Sequence, residues 1–323
     1  MRAMAQRSWK QGEPLVLLEL PTPEPRRGEV RVAVKAIGVN PVDWKMRTSG
    51  PLRLAARLVG PRPPVVVGVD FAGVVEAVGA GVTRVAAGAR VVGGTNFARG
   101  QRGSYADTVV VREDQLCALP DGVALDVAGS LPVTGVTAWM AVVEIGRIRR
   151  AADDARRVLV LGASGGVGQL AVQFAKLEGA FVAGVCSGKN VELVRSLGAD
   201  AALDYNASDP LAQAEALGRF HVVIDCAGGY SGRRCRRLLS RGGRHVMVAG
   251  DSPSAMLQAF IPPFSSKIVL GRPTAARLEP VVAAVAAGKL RVTLAHRLRL
   301  DQAEEAHRLS QTGRLTGRII LAP

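Results

Sequence analysis

Residues 158–175 read VLVLGASGGVGQLAVQFA, a run of 18 residues without a charged side chain. Four glycines fall within seven consecutive positions, between an aliphatic segment and a segment with helical periodicity. An uncharged run of this length can cross a membrane as a helix, but the glycines, one serine and two glutamines do not suit a membrane span. The order of strand, tight turn and helix instead predicts a loop shaped around a ligand.

The glycine turn fits the dinucleotide-binding pattern G-x-G-x-x-G, with Ala163 in the first glycine position. We expect Gly165 to let the backbone approach a pyrophosphate, and Gly168 to let the helix pack closely on the strand. The start of the helix adds free N–H groups and a partial positive charge. The alternative is a tight packing turn without a ligand. The predicted cofactor contacts of the turn are Ser164, Gly165, Gly166 and Val167.

The end of the next strand indicates which dinucleotide binds. An NAD site usually has Asp or Glu there, about 20 residues after the turn, to bind the ribose 2′-hydroxyl. This strand ends in VCSGKN, which contains no acid. Ser187 can donate a hydrogen bond and Lys189 can pair with a charged oxygen, whereas an acid would repel a 2′-phosphate. The sequence therefore predicts NADP(H), unless Lys189 is an ordinary loop lysine.

The pattern along the 323 residues predicts two domains. Short β-branched runs separated by Gly or Pro fill the first third and indicate an antiparallel barrel or sandwich. From Arg157 onward, strands and helices alternate, and six candidate strands predict a doubly wound parallel sheet. The closing strand, GRIIL, has no local partner and is expected to return to the first domain. The predicted domains are residues 1–125 together with 273–323, and residues 126–272.

Composition argues against several classes of protein. The net charge of +15 comes mostly from scattered basic residues, and 4% aromatic residues leave little material for base stacking, so a nucleic acid partner is not expected. The N-terminal segment lacks the apolar core of a signal peptide, so a cytoplasmic protein without a membrane partner is expected. The four cysteines and four histidines are dispersed without a CxxC pair, which argues against disulfides and a structural zinc site.

Seven motifs, in their order along the chain, resemble a known family: GVNPVDWKMR, PVVVGVDFAGVVEAVG, GSYADTVVV, LPVTGVTAW, GASGGVGQLAVQFAKLEGA, LGADAALDY and TGRIIL. Across nearly the whole chain they resemble the medium-chain dehydrogenase/reductase superfamily, in its zinc-free, ζ-crystallin-like quinone oxidoreductase branch. The resemblance implies an α/β fold, with a GroES-like β-barrel domain at both chain ends and a Rossmann NADP-binding domain between them. It also implies NADPH-dependent hydride transfer to a quinone or an α,β-unsaturated carbonyl.

Missing zinc ligands support that branch. Zinc-dependent members carry a cysteine near the first catalytic strand and Gly-His-Glu after the next. Here the first place reads GVNPVD, and the second reads Gly68-Val69-Asp70, with neither His nor Glu. The segment GGTNFARGQRG also lacks the cysteines of a structural zinc lobe. These missing ligands predict that the protein binds no metal. Without zinc there is no Lewis acid to polarise a substrate oxygen, so an acceptor that needs little activation is expected.

The resemblance also implies candidate catalytic residues, which are Asn40, Lys45 and Thr134. Lys45 stands where similar enzymes often have a tyrosine. It is either a donor to a developing oxyanion or a solvated surface lysine. Further cofactor contacts are implied for Tyr205, Cys226, Ala227 and Gly250, with the cysteine as a small packing residue and not a nucleophile.

Two other functions stay open. One is an enoyl-thioester or biosynthetic-pathway enone reductase of the same fold, and the other is a non-catalytic NADPH-binding scaffold or RNA-binding protein. The segment SKIVLG is expected to form the edge of the parallel sheet, and an exposed edge invites pairing with a second copy. The resemblance implies a homodimer, because members of the family commonly pair their Rossmann sheets edge to edge.

Replacing Ser187 with Asp and Lys189 with a neutral residue is expected to move the coenzyme preference from NADPH toward NADH. A carboxylate repels a 2′-phosphate but accepts a hydrogen bond from a 2′-hydroxyl. The ratio of the two kcat/KM values measures the preference, and an unchanged ratio would refute the roles given to these two residues.

Overall fold

The computed structural model describes residues 1–48, 50–152, 156–248, 257, 262, 266–313 and 315–323. The chain forms two compact units. The first comprises Met1–Val136, Arg272–Ala287 and Leu294–Pro323, and the second comprises Thr137–Gly271 and Gly288–Thr293.

The strands, in chain order, are β1 (Arg2–Gln6), β2 (Val16–Glu19), β3 (Glu29–Val39), β4 (Val65–Val66), β5 (Asp70–Val78), β6 (Arg90–Gly94), β7 (Thr108–Arg112), β8 (Leu116–Ala118), β9 (Arg157–Leu161), β10 (Phe181–Cys186), β11 (Ala201–Asp204), β12 (Phe220–Asp225), β13 (Leu239–Met247), β14 (Ser266–Ile268), β15 (Leu294–Arg299) and β16 (Arg318–Ala322). The α-helices are α1 (Pro41–Thr48), α2 (Gly50–Val59), α3 (Leu125–Gly129), α4 (Pro132–Trp139), α5 (Gly166–Leu177), α6 (Val191–Ser196), α7 (Pro210–Ala216), α8 (Gly232–Arg237), α9 (Ala275–Ala286) and α10 (Ala303–Gln311).

The second unit is built on a sheet with the strand order β11-β10-β9-β12-β13-β14. Every neighbouring pair in it is parallel, which confirms the predicted doubly wound sheet and its six strands. The aliphatic runs form strands buried on both faces, and Leu159, Val185 and Phe220 pack in one cluster. Because the strand order reverses between β9 and β12, the connections after these two strands leave in opposite directions, and in open parallel sheets this is where ligands bind.

The first unit contains a sheet in the order β2-β1-β4 and a larger sheet in the order β15-β16-β3-β5-β6-β8, with β7 pairing on β3. Strand β3 is central, because it pairs antiparallel with β5, β7 and β16. The register places Ile319 opposite Val39 and Leu321 opposite Ile37. The prediction that GRIIL returns to the first part of the chain is therefore confirmed.

The division into units differs from the predicted boundaries at residues 125 and 272. Helix α3 lies within the first unit because it packs on β3 and β5. The contact is close, since a Cβ at Gly129 would lie 2.9 Å from the Cβ of Ala36. Among the described helices, none has the length and apolar character needed to cross a bilayer.

Leu321→Ala is expected to lower the free energy of unfolding by about 3 kcal/mol, because the side chain is fully buried in β16, between β15 and β3 of the larger sheet. Leu17→Ala is the matched control, since Leu17 of β2 in the same unit is 47% exposed. Denaturant unfolding measures both variants. Equal losses of unfolding free energy in the two variants would show that the buried side chain of β16 contributes no more to stability than an exposed one does.

Candidate functional site

The glycine turn joins β9 to α5 at the carboxyl edge of the parallel sheet. Gly162 has a φ of +81°, which a residue with a side chain rarely adopts. The amides of Gly162 and Ala163 both donate to the carbonyl of Val185 in β10, at 3.1 and 2.8 Å. These bonds fix the turn against the neighbouring strand.

The first turn of α5 leaves amide groups that the helix does not use. Its first i→i−4 hydrogen bond runs from Gln169 N to Gly165 O at 2.9 Å. The side chain of Gln169 donates to the carbonyl of Ser164 at 2.8 Å, which fixes the turn further. The amides that precede Gln169 point out of the helix start, where a phosphate is favoured. They belong to Gly166, Val167 and Gly168.

Two glycines of the turn are glycines for different reasons. A Cβ at Gly168 would collide with the Gly162 carbonyl and lie 2.9 Å from Ala163 Cα. The protein itself therefore requires Gly168, as the sequence predicts. A Cβ at Gly165 would meet nothing closer than the Gly162 oxygen at 3.4 Å, an ordinary contact. Packing does not require a glycine at position 165, whereas a diphosphate lying close to the backbone would.

An acid of the neighbouring strand, which the sequence did not indicate, lies beside the end of β10. Ser187 is half-buried and Lys189 is exposed, and Asn190 donates to the Ser187 hydroxyl at 3.1 Å. In the next strand, Asp204 pairs with the end of β10, and its Oδ2 would lie 2.6 Å from a Cβ at Gly188. Its Oδ1 accepts the amide of Asn206 at 2.9 Å. A lysine and a carboxylate therefore both lie at this strand end.

The turn after β12 lies beside the glycine turn. Cys226 N donates to Leu161 O at 3.0 Å, and a Cβ at Gly162 would lie 3.4 Å from Ala227 N. Burial raises the pKa of the Cys226 thiol well above its ordinary value, which fits a packing residue and not a nucleophile. Asp225, which sequence reasoning missed, shapes this turn because its Oδ1 accepts the amides of Ala227 and Gly228.

The remaining predicted cofactor contacts are Tyr205 and Gly250. Tyr205 is 50% exposed, directly after β11, and its amide donates to Cys186 O at 3.1 Å. Gly250 lies outside the described residues. The structure thus brings the glycine turn, the β10 end, Tyr205 and the β12 turn to one edge of the sheet.

In the first unit, the predicted catalytic residue Asn40 belongs to a buried polar cluster. Arg318 Nη2 donates to Asn40 Oδ1 at 2.9 Å and lies 3.5 Å from Asp70 Oδ2. Asn40 Nδ2 donates weakly to Gly38 O at 3.4 Å. Asp70 Oδ1 accepts the amide of Val133 at 2.9 Å. All three polar residues are 5% exposed or less, so Asn40 presents no amide group to solvent.

A second set of buried groups lies next to this cluster. Asp43 Oδ2 accepts the amide of Asn40 at 2.8 Å and lies 3.2 Å from the Tyr105 hydroxyl. Tyr105 Oη is 3.1 Å from His307 Nε2, and His307 Nδ1 is 2.8 Å from Arg47 Nη1. Arg47 in turn pairs with Glu304, which reaches the surface. The set connects α1 to α10.

Burial dominates the titration of these groups. It raises the pKa of Asp43 to about 8, with a further upward contribution from the charge of Asp70. It raises the pKa of Asp70 to about 7 against the opposing effect of Arg318. It lowers the pKa of His307 to about 3, and the nearby charge of Arg47 acts in the same direction. His307 is therefore neutral at ordinary pH.

The other two predicted catalytic residues differ in access. Thr134 is buried in α4, and its hydroxyl donates to Ser130 O at 2.6 Å. Lys45 is half-buried on α1, and its Nζ lies 5.6 Å from the centre of the Trp44 ring. Of the three candidates, only Lys45 has a side chain that is partly open to solvent.

The positions that hold zinc in related enzymes do not suit a cation here. Asn40 is held by Arg318, Val69 offers only an aliphatic side chain, and Asp70 lies beside the Arg318 guanidinium. Within the part of the chain that the structure describes, no group of three or more His, Cys, Asp or Glu side chains could hold a metal ion.

Sequence reasoning found the motifs of the first unit but not the pairing between them. Asp70 and Arg318 lie inside quoted motifs, yet nothing in a motif shows that residues 248 positions apart meet in the core. Tyr105 lies inside a quoted motif and His307 in a polar helical segment, and neither stretch indicates the partner of its residue. The separation in sequence explains why this cluster was missed.

Known families match most of the chain. Residues 26–121 match the alcohol dehydrogenase GroES-like domain, and residues 197–321 match a family described as zinc-binding dehydrogenase. The second description names a metal that the described residues at the family's zinc positions do not suit.

Individual relatives match over about three quarters of the chain or more. The chain is 33% identical over 318 residues to the chloroplast envelope quinone oxidoreductase homolog of Arabidopsis thaliana, covering 95% of this chain and 93% of that one. It is 37% identical over 250 residues to a trans-enoyl reductase of Pyricularia grisea, covering 74% and 65%. The solved quinone oxidoreductase from Coxiella burnetii superposes with a TM-score of 0.89 at 27% identity, covering 100% and 99%.

Gly165→Ala is expected to leave the fold intact but to weaken NADPH binding about tenfold, because the methyl group would separate the backbone from a phosphate. Gly168→Ala is the contrasting variant, since its Cβ collides with the protein itself and should lower the melting temperature. Fluorescence titration gives the dissociation constant and a thermal scan gives the stability. Unchanged affinity in a folded Gly165→Ala variant would exclude the turn as the diphosphate site.

Proposed function

Since this chain belongs to the medium-chain dehydrogenase/reductase superfamily, in its quinone oxidoreductase branch, we propose that it transfers a hydride from NADPH to a quinone or an α,β-unsaturated carbonyl without a metal ion. It is an oxidoreductase that uses a nicotinamide cofactor and a small-molecule substrate. The observation that carries the proposal is the glycine turn. The amides at the start of α5 have no partner within the helix, and packing inside the protein does not explain the glycine at position 165 beside them.

The choice of NADP(H) rests on the end of β10. Ser187 and Lys189 supply a hydroxyl and a positive charge for a 2′-phosphate, and β10 itself ends without an acid. Asp204 opposes this choice through its negative charge, but one of its oxygens already accepts the Asn206 amide. If Asp204 rather than Lys189 set the preference, the Ser187 and Lys189 substitutions described above would leave the coenzyme ratio unchanged.

The bound cofactor supplies the hydride, and the residues of the chain bind and orient it. The amides at the start of α5 hold the diphosphate, and the turn after β12 supports the glycine turn from the side. A quinone or an enone suits a site without a Lewis acid, because negative charge that develops during reduction moves onto an oxygen that hydrogen bonds can stabilise.

Lys45 is the side chain we assign to that oxygen. Asn40 and Thr134 are buried with their polar atoms already used by Arg318 and Ser130, so their contribution is to hold the local structure. Lys45 lies on the side of α1 away from the buried residues Asp43 and Arg47, because it is two positions from each. Its ammonium group can donate a hydrogen bond to the reduced acceptor.

The likeness to a trans-enoyl reductase favours enones as a second class of acceptor beside quinones. We also propose a homodimer formed through β14, which ends the parallel sheet among the described strands. The cytoplasmic location stays a prediction.

The test is the loss of NADPH absorbance with a panel of quinones, enones and enoyl thioesters, in the presence and absence of a chelator. Turnover of a quinone or an enone that survives chelation supports the proposal. Activity that is lost on chelation and restored by zinc would overturn the metal-free reaction. NADPH binding without turnover of any acceptor would favour the non-catalytic scaffold.

Lys45→Met is expected to lower kcat about 100-fold without changing the NADPH dissociation constant, because one donor to the developing negative charge is lost. Lys45→Arg should recover part of the rate. Lys35→Met, at an exposed position of β3 in the same unit, is the matched control and should keep the full rate. A Lys45→Met variant as fast as this control would return Lys45 to the role of a solvated surface lysine.

A further inference from the structure

Buried groups between α10 and α1 are linked by a series of hydrogen bonds. In every bond the donor lies on the Arg47 side and the acceptor on the Asp43 side. Arg47 can donate hydrogen bonds but cannot accept them, so His307 Nδ1, 2.8 Å from Arg47 Nη1, must be the acceptor. His307 is neutral, and its hydrogen is therefore on Nε2. The tautomer of His307 follows from the position of one guanidinium.

The direction continues through Tyr105 to Asp43. His307 Nε2 donates to Tyr105 Oη at 3.1 Å, so the hydroxyl hydrogen of Tyr105 is free to point to Asp43 Oδ2 at 3.2 Å. Tyr105 is fully buried, and His307 is 1% exposed. Because both side chains are buried, water cannot replace the partner of the Tyr105 hydroxyl or of the His307 imidazole. Removing one of these residues therefore leaves its neighbour with an unsatisfied polar group.

The first and last residues of this hydrogen-bond chain both belong to α1 and lie about one helical turn apart. Asp43 accepts the Asn40 amide at the start of the helix, at 2.8 Å, and Arg47 lies four residues further on. Lys45 lies between them on the other side of the helix. Helix α1 also contacts α10 through the half-buried Trp44, whose Nε1 donates to Ser310 Oγ at 3.1 Å. A substitution that breaks this hydrogen-bond chain therefore shifts α1, and Lys45 moves with the helix.

We infer that Tyr105 and His307 are positioning residues of this enzyme, which hold α1 through a one-way hydrogen-bond chain from Arg47 to Asp43 and so set the place of Lys45. The significance of Lys45 rests on the function proposed above, whereas the holding of α1 does not. Neither residue is assigned a contact with the substrate or the cofactor.

The charge on Asp43 determines the strength of the last hydrogen bond in the series, the one that Asp43 accepts from Tyr105. The charged and titratable groups around it are Asp70 of β5, Arg318 of β16, Tyr105, His307 of α10 and Arg47 of α1. A carboxylate accepts the Tyr105 and Asn40 hydrogen bonds more strongly than a neutral carboxyl does. Since burial raises the pKa of Asp43 to about 8, the strong form of the contact develops as the pH rises through that value.

The hydrogen bond from Tyr105 lowers the pKa of Asp43, so its loss must raise that pKa. In the intact protein, kcat is expected to rise with pH through a midpoint of about 8. In Tyr105→Phe the midpoint should move to higher pH, and kcat near neutral pH should fall about tenfold, while the NADPH dissociation constant stays unchanged. A merely structural residue would lower stability without moving the midpoint.

His307 offers a conservative substitution, because the side-chain amide nitrogen of a glutamine reaches about as far as the imidazole Nε2 and can donate to Tyr105 Oη in its place. His307→Gln should keep the midpoint close to that of the intact protein, whereas His307→Leu should move it as Tyr105→Phe does. Asp107→Asn is the control, since it breaks the surface ion pair with Arg2 in the same unit and should leave the midpoint in place.

A second measurement needs no turnover. The indole N–H resonance of Trp44, assigned with Trp44→Phe, reports the contact of α1 with Ser310 and should titrate with the same midpoint as kcat. If no acceptor is reduced but this resonance titrates and shifts in Tyr105→Phe, the proposed function fails and the inference about α1 stands. If acceptors are reduced but Tyr105→Phe and His307→Leu move neither midpoint, the inference is overturned.

Discussion

The guanidinium of Arg318 faces two carboxyl groups in the core of the first unit, and the arrangement of that unit depends on it. It lies 3.5 Å from Asp70 and donates to Asn40, whose amide in turn meets Asp43. A buried carboxyl group keeps its charge only with a cation nearby, and Arg318 lowers the pKa of both Asp70 and Asp43, so losing Arg318 would keep both groups neutral to higher pH. Strand β16 therefore brings to the sheet both an apolar face and the charge that the carboxyls need.

The second unit depends on a steric constraint instead. The turn between β9 and α5 can form only where Gly168 lets the helix approach the Gly162 carbonyl. That approach directs the unused amides of the helix start to the carboxyl edge of the sheet, where the other predicted cofactor contacts lie. One missing side chain thus determines both the packing of α5 and the direction of the amides that we propose as the diphosphate site.

Local sequence patterns predicted the parallel sheet because each strand, turn and helix there is encoded within about 30 residues. The glycine turn and the return of GRIIL to β3 were also readable, the first from spacing and the second from the lack of a local partner. The contact of Asp204 with the end of β10 was not readable, because it depends on which strand pairs with which. The same holds for Arg318 and Asp70, and for Tyr105 and His307, whose partners are distant in sequence.

The position of β16 in the chain has a consequence for synthesis on the ribosome. The segment Thr137–Gly271 of the second unit is made in full before β16 leaves the ribosome, whereas β3 is made long before either. Until then the edge of β3 that carries Ile37 and Val39 has no neighbour, and Asp43 and Asp70 have no guanidinium. The nascent first unit therefore exposes a bare apolar strand edge, the kind of surface that chaperones bind and that aggregates when they do not.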